Sequence, residues 1–276
     1  MTLSLTTTVT LHDSVAIPQF GFGVFKSEPG PEVETAVATA LELGYRHIDT
    51  AAIYKNEEGV GKAVAASGID RGQIFITTKV WNSDQGYEST LAAMDASLER
   101  LGMDYVDLYL VHWPKPEHTH DTWRAMEQLR ADGKARAIGV SNFLTHHLDQ
   151  LAEQAEIMPS INQIEFHPHL QSPELIAYCD EHDIIVEAWS PLKHGQIVDD
   201  PELKPIADAH GVSVAQVVLR WMLQRGIVTI PKSVTPTRIA ENTDLYGFVL
   251  TDDEVATIDA MDRDERVGPN PDEIDF

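Results

Sequence analysis

A rhythm constrains this chain more than any single residue does. Short runs rich in valine and isoleucine (QFGFGVF, YRHID, IFITTKV, VDLYLVH, ARAIGVSN, SINQIEF, IIVEAWS and IVTIPKS) alternate with longer segments of helical period. That is the pattern of parallel strands joined by crossover helices. Segments 32–43, 88–101, 119–131, 146–153, 172–180 and 214–224 repeat apolar residues three and four apart, as Val33, Val37, Ala40 and Leu41 do in the first. Each can therefore lay one face on a sheet. DRGQ, ADGK and QRGI supply turns. No composition break interrupts the alternation, so eight units predict one (β/α)8 barrel domain over residues 1–276, close to the about 250 residues such a barrel needs.

Two segments stand outside the repeat. LTTTVTLHDSVAIPQF alternates polar and apolar residues on either side of HDS, which predicts a hairpin capping the bottom of the barrel. After the eighth strand, TPTRIAENTDLY and TDDEVATIDAMD read as two extra helices, and RDERVGPNPDEIDF as a loop at the rim. The formal charge of −24 argues against nucleic acid or an anionic membrane as a partner. The start MTLSLTTTVTLHDS lacks a secretory pattern and no long apolar run is present, so a cytoplasmic protein is expected; a monomer is expected as well. The single cysteine, Cys179, excludes an intramolecular disulfide and is read as structural.

Barrels of this kind carry their chemistry at the C-terminal ends of the strands. Polar residues collect there: Asp49 ends the second strand, Lys79 the third and His112 the fourth. Ser141 and Asn142 end the fifth, Gln163 and Glu165 the sixth, Trp189 and Ser190 the seventh, Lys232 and Ser233 the eighth. Buried singly they would cost several kcal/mol each, so they are expected to face one another. No G-x-G-x-x-G, phosphate loop or nucleophile elbow occurs. The pairs His118 with His120, His146 with His147 and His167 with His169 lack a third ligand at convincing spacing, and no metal is expected.

If Asp49, Tyr54, Lys79 and His112 converge, they form a proton donor beside an oxygen site. At about 4 Å and an effective dielectric of about 20, one charge pair is worth roughly 4 kcal/mol, so Lys79 is expected to pull the Tyr54 phenol down by at most about two to three pH units. Asp49 is the natural counter-charge for a lysine in an apolar barrel. Neutral His112 would orient a carbonyl oxygen, and Tyr54 would protonate the alkoxide formed by hydride addition. No side chain donates hydride, so a reduced nicotinamide is implied. Trp189 offers that ring a flat face, while Ser141, Asn142 and Gln163 offer partners for its carboxamide. Lys232, Ser233 and Arg238 suit the adenosine 2′-phosphate of NADPH. Lys115, Lys193 and His194 are cations that could meet an acidic substrate.

These residues sit in motifs that strongly resemble the aldo-keto reductases: GYRHIDTAAIYKNEEGVG, ITTKVW, DLYLVHWP, IGVSNF, NQIEFHP, WSPL and IPKSVTPTRIAEN occur in that family's order. The resemblance implies a catalytic tetrad of Asp49, Tyr54, Lys79 and His112 and reduction of an aldehyde, ketone or keto sugar acid with NADPH. It implies cofactor contacts from Gly21, Ser141, Asn142, Gln163, Trp189, Ser190, Leu192, Lys232, Ser233, Val234, Thr235, Arg238, Glu241 and Asn242, with Glu241 and Asn242 at the adenine. It places Phe22, Trp81, His112 and Trp113 along the substrate pocket. Trp189, the SPLKHGQIVDDPELK segment and the PNPDEIDF ending look closest to the bacterial 2,5-diketo-D-gluconate reductases. A few relatives only bind NADP and sense redox state, which is the alternative to turnover.

Overall fold

A computed structural model describes residues 3–274, leaving Met1, Thr2, Asp275 and Phe276 of the expected domain outside the described residues. A hairpin opens the chain, β1 (Thr8–Thr10) pairing antiparallel with β2 (Ala16–Pro18). The barrel strands follow: β3 (Phe22–Gly23), β4 (His47–Asp49), β5 (Phe75–Val80), β6 (Val106–Val111), β7 (Ala135–Ser141), β8 (Ile161–Glu165), β9 (Ile185–Trp189) and β10 (Val228–Thr229). The seven neighbouring pairs of these eight strands are all parallel, as the alternation predicts.

The first and last strands are much shorter than their apolar runs. The seam there is a single bridge between Phe20 and Thr229, reinforced by the Gly21 amide on the Thr229 carbonyl at 2.9 Å and the Gly23 amide on the Pro231 carbonyl at 3.2 Å. Pro231 has no amide hydrogen to continue the ladder. A side chain at Gly21 would start 2.5 Å from His47 Nδ1, so closure needs a glycine at this point.

Crossover helices cover the outside: α1 (Pro31–Glu42), α2 (Glu57–Ala66), α3 (Tyr87–Leu101), α4 (Thr119–Ala131), α5 (Thr145–Ala152), α6 (Pro173–Glu181), α7 (Lys204–His210) and α8 (Val214–Gln224). Then come the two extra helices, α9 (Pro236–Glu241) and α10 (Asp252–Asp259), the latter opened by a capping box in which Thr251 and Glu254 satisfy each other's amides. Outward residues such as Val111, Ile138 and Ile164 pack on the helices in one large apolar layer. The inward residues Phe75, Leu108, Leu110, Ala137, Ile161 and Val228 form a separate cluster with Leu11, Val15 and Ile17 of the hairpin. The hairpin thus plugs the lower end, and the opposite end is left for polar groups. Among the described residues no helix is long and apolar enough to cross a membrane.

Candidate active site

Alternation along β5 turns Phe75, Thr77 and Lys79 into the barrel, apolar at the bottom and charged at the top. Lys79 Nζ lies 2.7 and 2.8 Å from the two oxygens of Asp49 on β4 and 2.8 Å from the Thr50 carbonyl, and both side chains are essentially fully buried. The same ammonium stands 5.2 Å from the centre of the Tyr54 ring. Tyr54 ends a 310 turn (Ala52–Tyr54) that Lys55 terminates in the left-handed region at φ 59°. Buried Asn56 locks that turn: it accepts from the Thr50 hydroxyl at 2.8 Å and donates to the carbonyls of Val24 and Ser27. His112 follows β6, its ring edge-on to Tyr54 at 5.7 Å and to Trp81 at 5.1 Å between centres. The four groups therefore converge.

Burial governs their proton affinities. It opposes the Lys79 ammonium, yet the charge of Asp49, with Tyr54 and the Asp49 hydrogen bonds, holds the lysine above its usual value. Burial, reinforced by Lys79, pushes His112 well below the usual imidazole range and leaves it neutral. Tyr54 departs from expectation. Desolvation outweighs the pull of Lys79, and the phenol stands above its ordinary value rather than below it. The anticipated lowering counted the ammonium but neither burial nor the opposing charge of Asp49.

The residues assigned to a cofactor come from the other arc, the C-terminal ends of β7 to β10. Asn142, at φ 65°, joins the two arcs: its amide donates to the His112 carbonyl at 2.9 Å, and its oxygen accepts the Trp189 indole N–H at 2.8 Å. The Ser141 hydroxyl donates to the Gln163 carbonyl at 2.8 Å. Gln163 Nε2 donates inward to Asp49 and Glu187, each at 2.8 Å, which leaves its Oε1 as the remaining polar atom. Ser190 takes φ 50°, and Leu192 packs half-buried on the core. Lys232 reaches back across the groove to the Lys26 carbonyl at 3.2 Å, and Ser233 Oγ accepts the Thr235 amide at 3.1 Å. Val234, Arg238 and Glu241 are exposed, while Asn242 is buried. Gly21 contributes at the seam described above.

One aromatic assignment is corrected. Phe22 is 1% exposed and packs edge-on against Tyr45 in the layer between strands and helices, because its place on β3 points it outward. Phe25, three positions on and 46% exposed, lies 5.0 Å from Tyr54 between ring centres and takes that place at the mouth. Trp81 stands edge-on to the His112 ring, and Trp113, the residue after His112 in the chain, is buried. Lys193 is not available to a substrate: it is buried on Glu265 at 2.6 Å and His169 at 3.0 Å.

The segment after α10 closes over the rim. Buried Glu165 accepts the Val267 amide at 2.6 Å, the Gly268 amide at 3.0 Å and His167 at 3.1 Å. Burial opposes its charge, but these donors hold the carboxyl below the usual range. One of the histidine pairs is thereby accounted for: His167 serves Glu165, and His169 contacts Lys193 and Asp200. Asp272, remote in sequence, supplies a third group beside His146 and His147. Yet His147 Nδ1 accepts the Leu144 amide at 3.2 Å, which puts the proton on Nε2, the atom that faces Asp272. In that tautomer His147 Nε2 presents a hydrogen to Asp272.

Sequence reasoning passed over Phe25, Asn56, His47 and Glu187. For Glu187 a signal existed: an acid standing alone inside the apolar run IIVEAWS.

Comparison with known proteins agrees with this geometry. Residues 20–263 match the model of the Aldo/keto reductase family. The chain is 58% identical to the glyoxal reductase of Bacillus subtilis (strain 168), over the full length of both. It is 46% identical to the methylglyoxal reductase DkgA of Escherichia coli (strain K12), covering 97% of this chain and 98% of that one. A crystal structure of a mutant of Gox0644 in complex with NADPH superposes with a TM-score of 0.92 at 44% identity, covering 98% of this chain and 99% of that one. A parallel eight-stranded barrel with its polar residues gathered at one end, matched over nearly its whole length by these proteins, belongs to the aldo-keto reductase family.

Proposed function

We propose that this protein is an NADPH-dependent carbonyl reductase in which Tyr54 donates the proton. The observation that carries the reading is the Asp49–Lys79 pair held against the Tyr54 ring beside a neutral His112. The groups at the barrel mouth fit a nicotinamide dinucleotide: the indole of Trp189 for the ring, Gln163 Oε1 for its carboxamide, and Lys232, Ser233 and Arg238 for a phosphate. When bound, the reduced nicotinamide supplies a hydride to the carbonyl carbon.

This chain's residues supply the rest. An imidazole N–H of His112 points the carbonyl oxygen toward Tyr54. A phenol held above its ordinary value enters the reaction with its proton in place. As negative charge develops on the substrate oxygen the phenol gives up that proton, and Lys79 offsets the phenolate left behind. Asp49 keeps Lys79 charged throughout. Phe25, Trp81 and Trp113 wall the site, which favours small or flat carbonyl compounds. Glyoxal and methylglyoxal come first in a substrate panel, because two relatives are named for them.

The test is consumption of NADPH, with NADH in parallel, against aldehydes, ketones, 2-oxoaldehydes and keto sugar acids. Tyr54→Phe should lower kcat about 10²- to 10⁴-fold, the usual worth of a positioned general acid, while NADPH still binds. Full activity in that variant, or no carbonyl reduced by the native chain, would refute the reading.

A further inference from the structure

Below the proposed tetrad, on β9, stands a carboxyl group that the mechanism above does not use. Glu187 is 0% exposed. Its Oε2 accepts Gln163 Nε2 at 2.8 Å, and the second hydrogen of that nitrogen goes to Asp49 Oδ2 at the same distance. Gln163 is therefore clamped between two acids, with Oε1 the only polar atom it has left. Glu187 Oε1 has no hydrogen-bond partner. The closest basic group, His47 Nε2, is 3.6 Å away and also meets the Thr77 hydroxyl at 3.2 Å.

The barrel interior thus holds two carboxyl groups for one ammonium. The groups facing Glu187 are His47 and Asp49 from β4, Lys79 from β5 and Tyr54 from the turn beyond β4. Burial drives His47 down to about 3, so it brings no compensating charge. Burial first, and then the charge of Asp49, pushes Glu187 up to about 8. Its proton leaves only near that pH, and the new charge raises the proton affinity of both Tyr54 and Lys79.

We propose that Glu187 is a positioning residue for the carbonyl-reducing site: it clamps Gln163 so that Oε1 faces the cofactor's carboxamide, and its charge state sets the acidity of the Lys79–Tyr54 pair. The proposal rests on the reading of Gln163 and Tyr54 given above. Glu187→Gln keeps an oxygen for Gln163 but cannot ionise. Glu187→Leu removes both.

Three measurements test it on the whole chain. In the native protein kcat/KM for methylglyoxal should fall with a break near pH 8, and in Glu187→Gln that break should vanish. NADPH binding, followed by tryptophan fluorescence, should stay within about twofold of native in Glu187→Gln at pH 6.5 and weaken about tenfold in Glu187→Leu, the worth of one oriented hydrogen bond. Without cofactor, an acid whose folded pKa lies above its unfolded value costs stability once the pH passes the unfolded value. Native stability should therefore fall between about pH 4 and 8 relative to Glu187→Gln.

A pH break and a stability profile unchanged in Glu187→Gln would overturn the proposal, as would native NADPH binding in a folded Glu187→Leu. If Glu187→Leu does not fold, the Glu187→Gln profiles decide alone. A native chain that reduces no carbonyl but shows the pH-dependent stability difference would refute the function and leave the titrating clamp standing.

Discussion

Asp49→Asn tests the central contact of the site. Lys79 Nζ lies 2.7 Å from Asp49 Oδ1, with both side chains out of water. At that distance and an effective dielectric of about 20, the attraction is about 6 kcal/mol. The substitution removes it and leaves an ammonium in the barrel. The lysine then has an exit: releasing its proton at pH 7 costs about 4.6 kcal/mol, from about 1.36 kcal/mol for each of the roughly 3.4 pH units below 10.4. The loss of stability should therefore be capped near 3–5 kcal/mol, the usual effect of breaking a buried pair.

The sign of the pH dependence follows from the same cap. In the native chain Lys79 titrates above its unfolded value, so its contribution is complete at pH 7. In Asp49→Asn its folded pKa is depressed, and the penalty shrinks as the pH rises toward 10.4. By pH 9 the deficit should have fallen by up to about 2.7 kcal/mol, two pH units at about 1.36 kcal/mol each. Urea unfolding of both proteins at pH 7 and 9, followed by circular dichroism, reads this directly. Adding Lys79→Met should recover at least half of the loss. A deficit below about 1 kcal/mol at pH 7, or one that does not shrink at pH 9, would refute the reasoning.

Two further tests address the periphery. Gly268 lies so close to the Trp189 ring that a Cβ would drive into it and crowd Glu165. Gly268→Ala should cost about 1–3 kcal/mol, the range for overpacking, and expose Arg263 and Arg266 to faster trypsin cleavage. Native melting and digestion in that variant would show that the C-terminal segment is not held as described. Cys179 is 0% exposed, and burial pushes its thiol up to about 12. A disulfide reagent at pH 8 should leave the native chain unlabelled and take up one equivalent per chain in urea. Rapid native labelling would contradict that burial.

Much of the architecture was legible because barrel strands announce themselves locally. IFITTKV and VDLYLVH became β5 and β6 nearly as written, since a strand buried on both faces is apolar throughout. QFGFGVF and IVTIPKS became two-residue strands, because the seam is set by backbone geometry around Gly21 and Pro231, which hydropathy does not register. Phe22 and Phe25 show the same limit. Both are apolar residues of one run, and only their direction relative to the barrel wall separates a core side chain from one at the mouth.

From the sequence alone come the strand–helix repeat, the polar residues at strand ends and the family, all of which depend on what each residue is and where it stands in its own element. The tertiary structure decides what those residues do to one another. His47, Asp49, Lys79, Gln163 and Glu187 arrive from four strands, and only the closed curvature of the sheet brings them within 2.7 to 3.6 Å of one another, buried from solvent. There, desolvation reversed the expected direction of Tyr54 and put Glu187 close to neutral pH. Burial is a property of the assembled barrel, and no position in the chain carries it by itself.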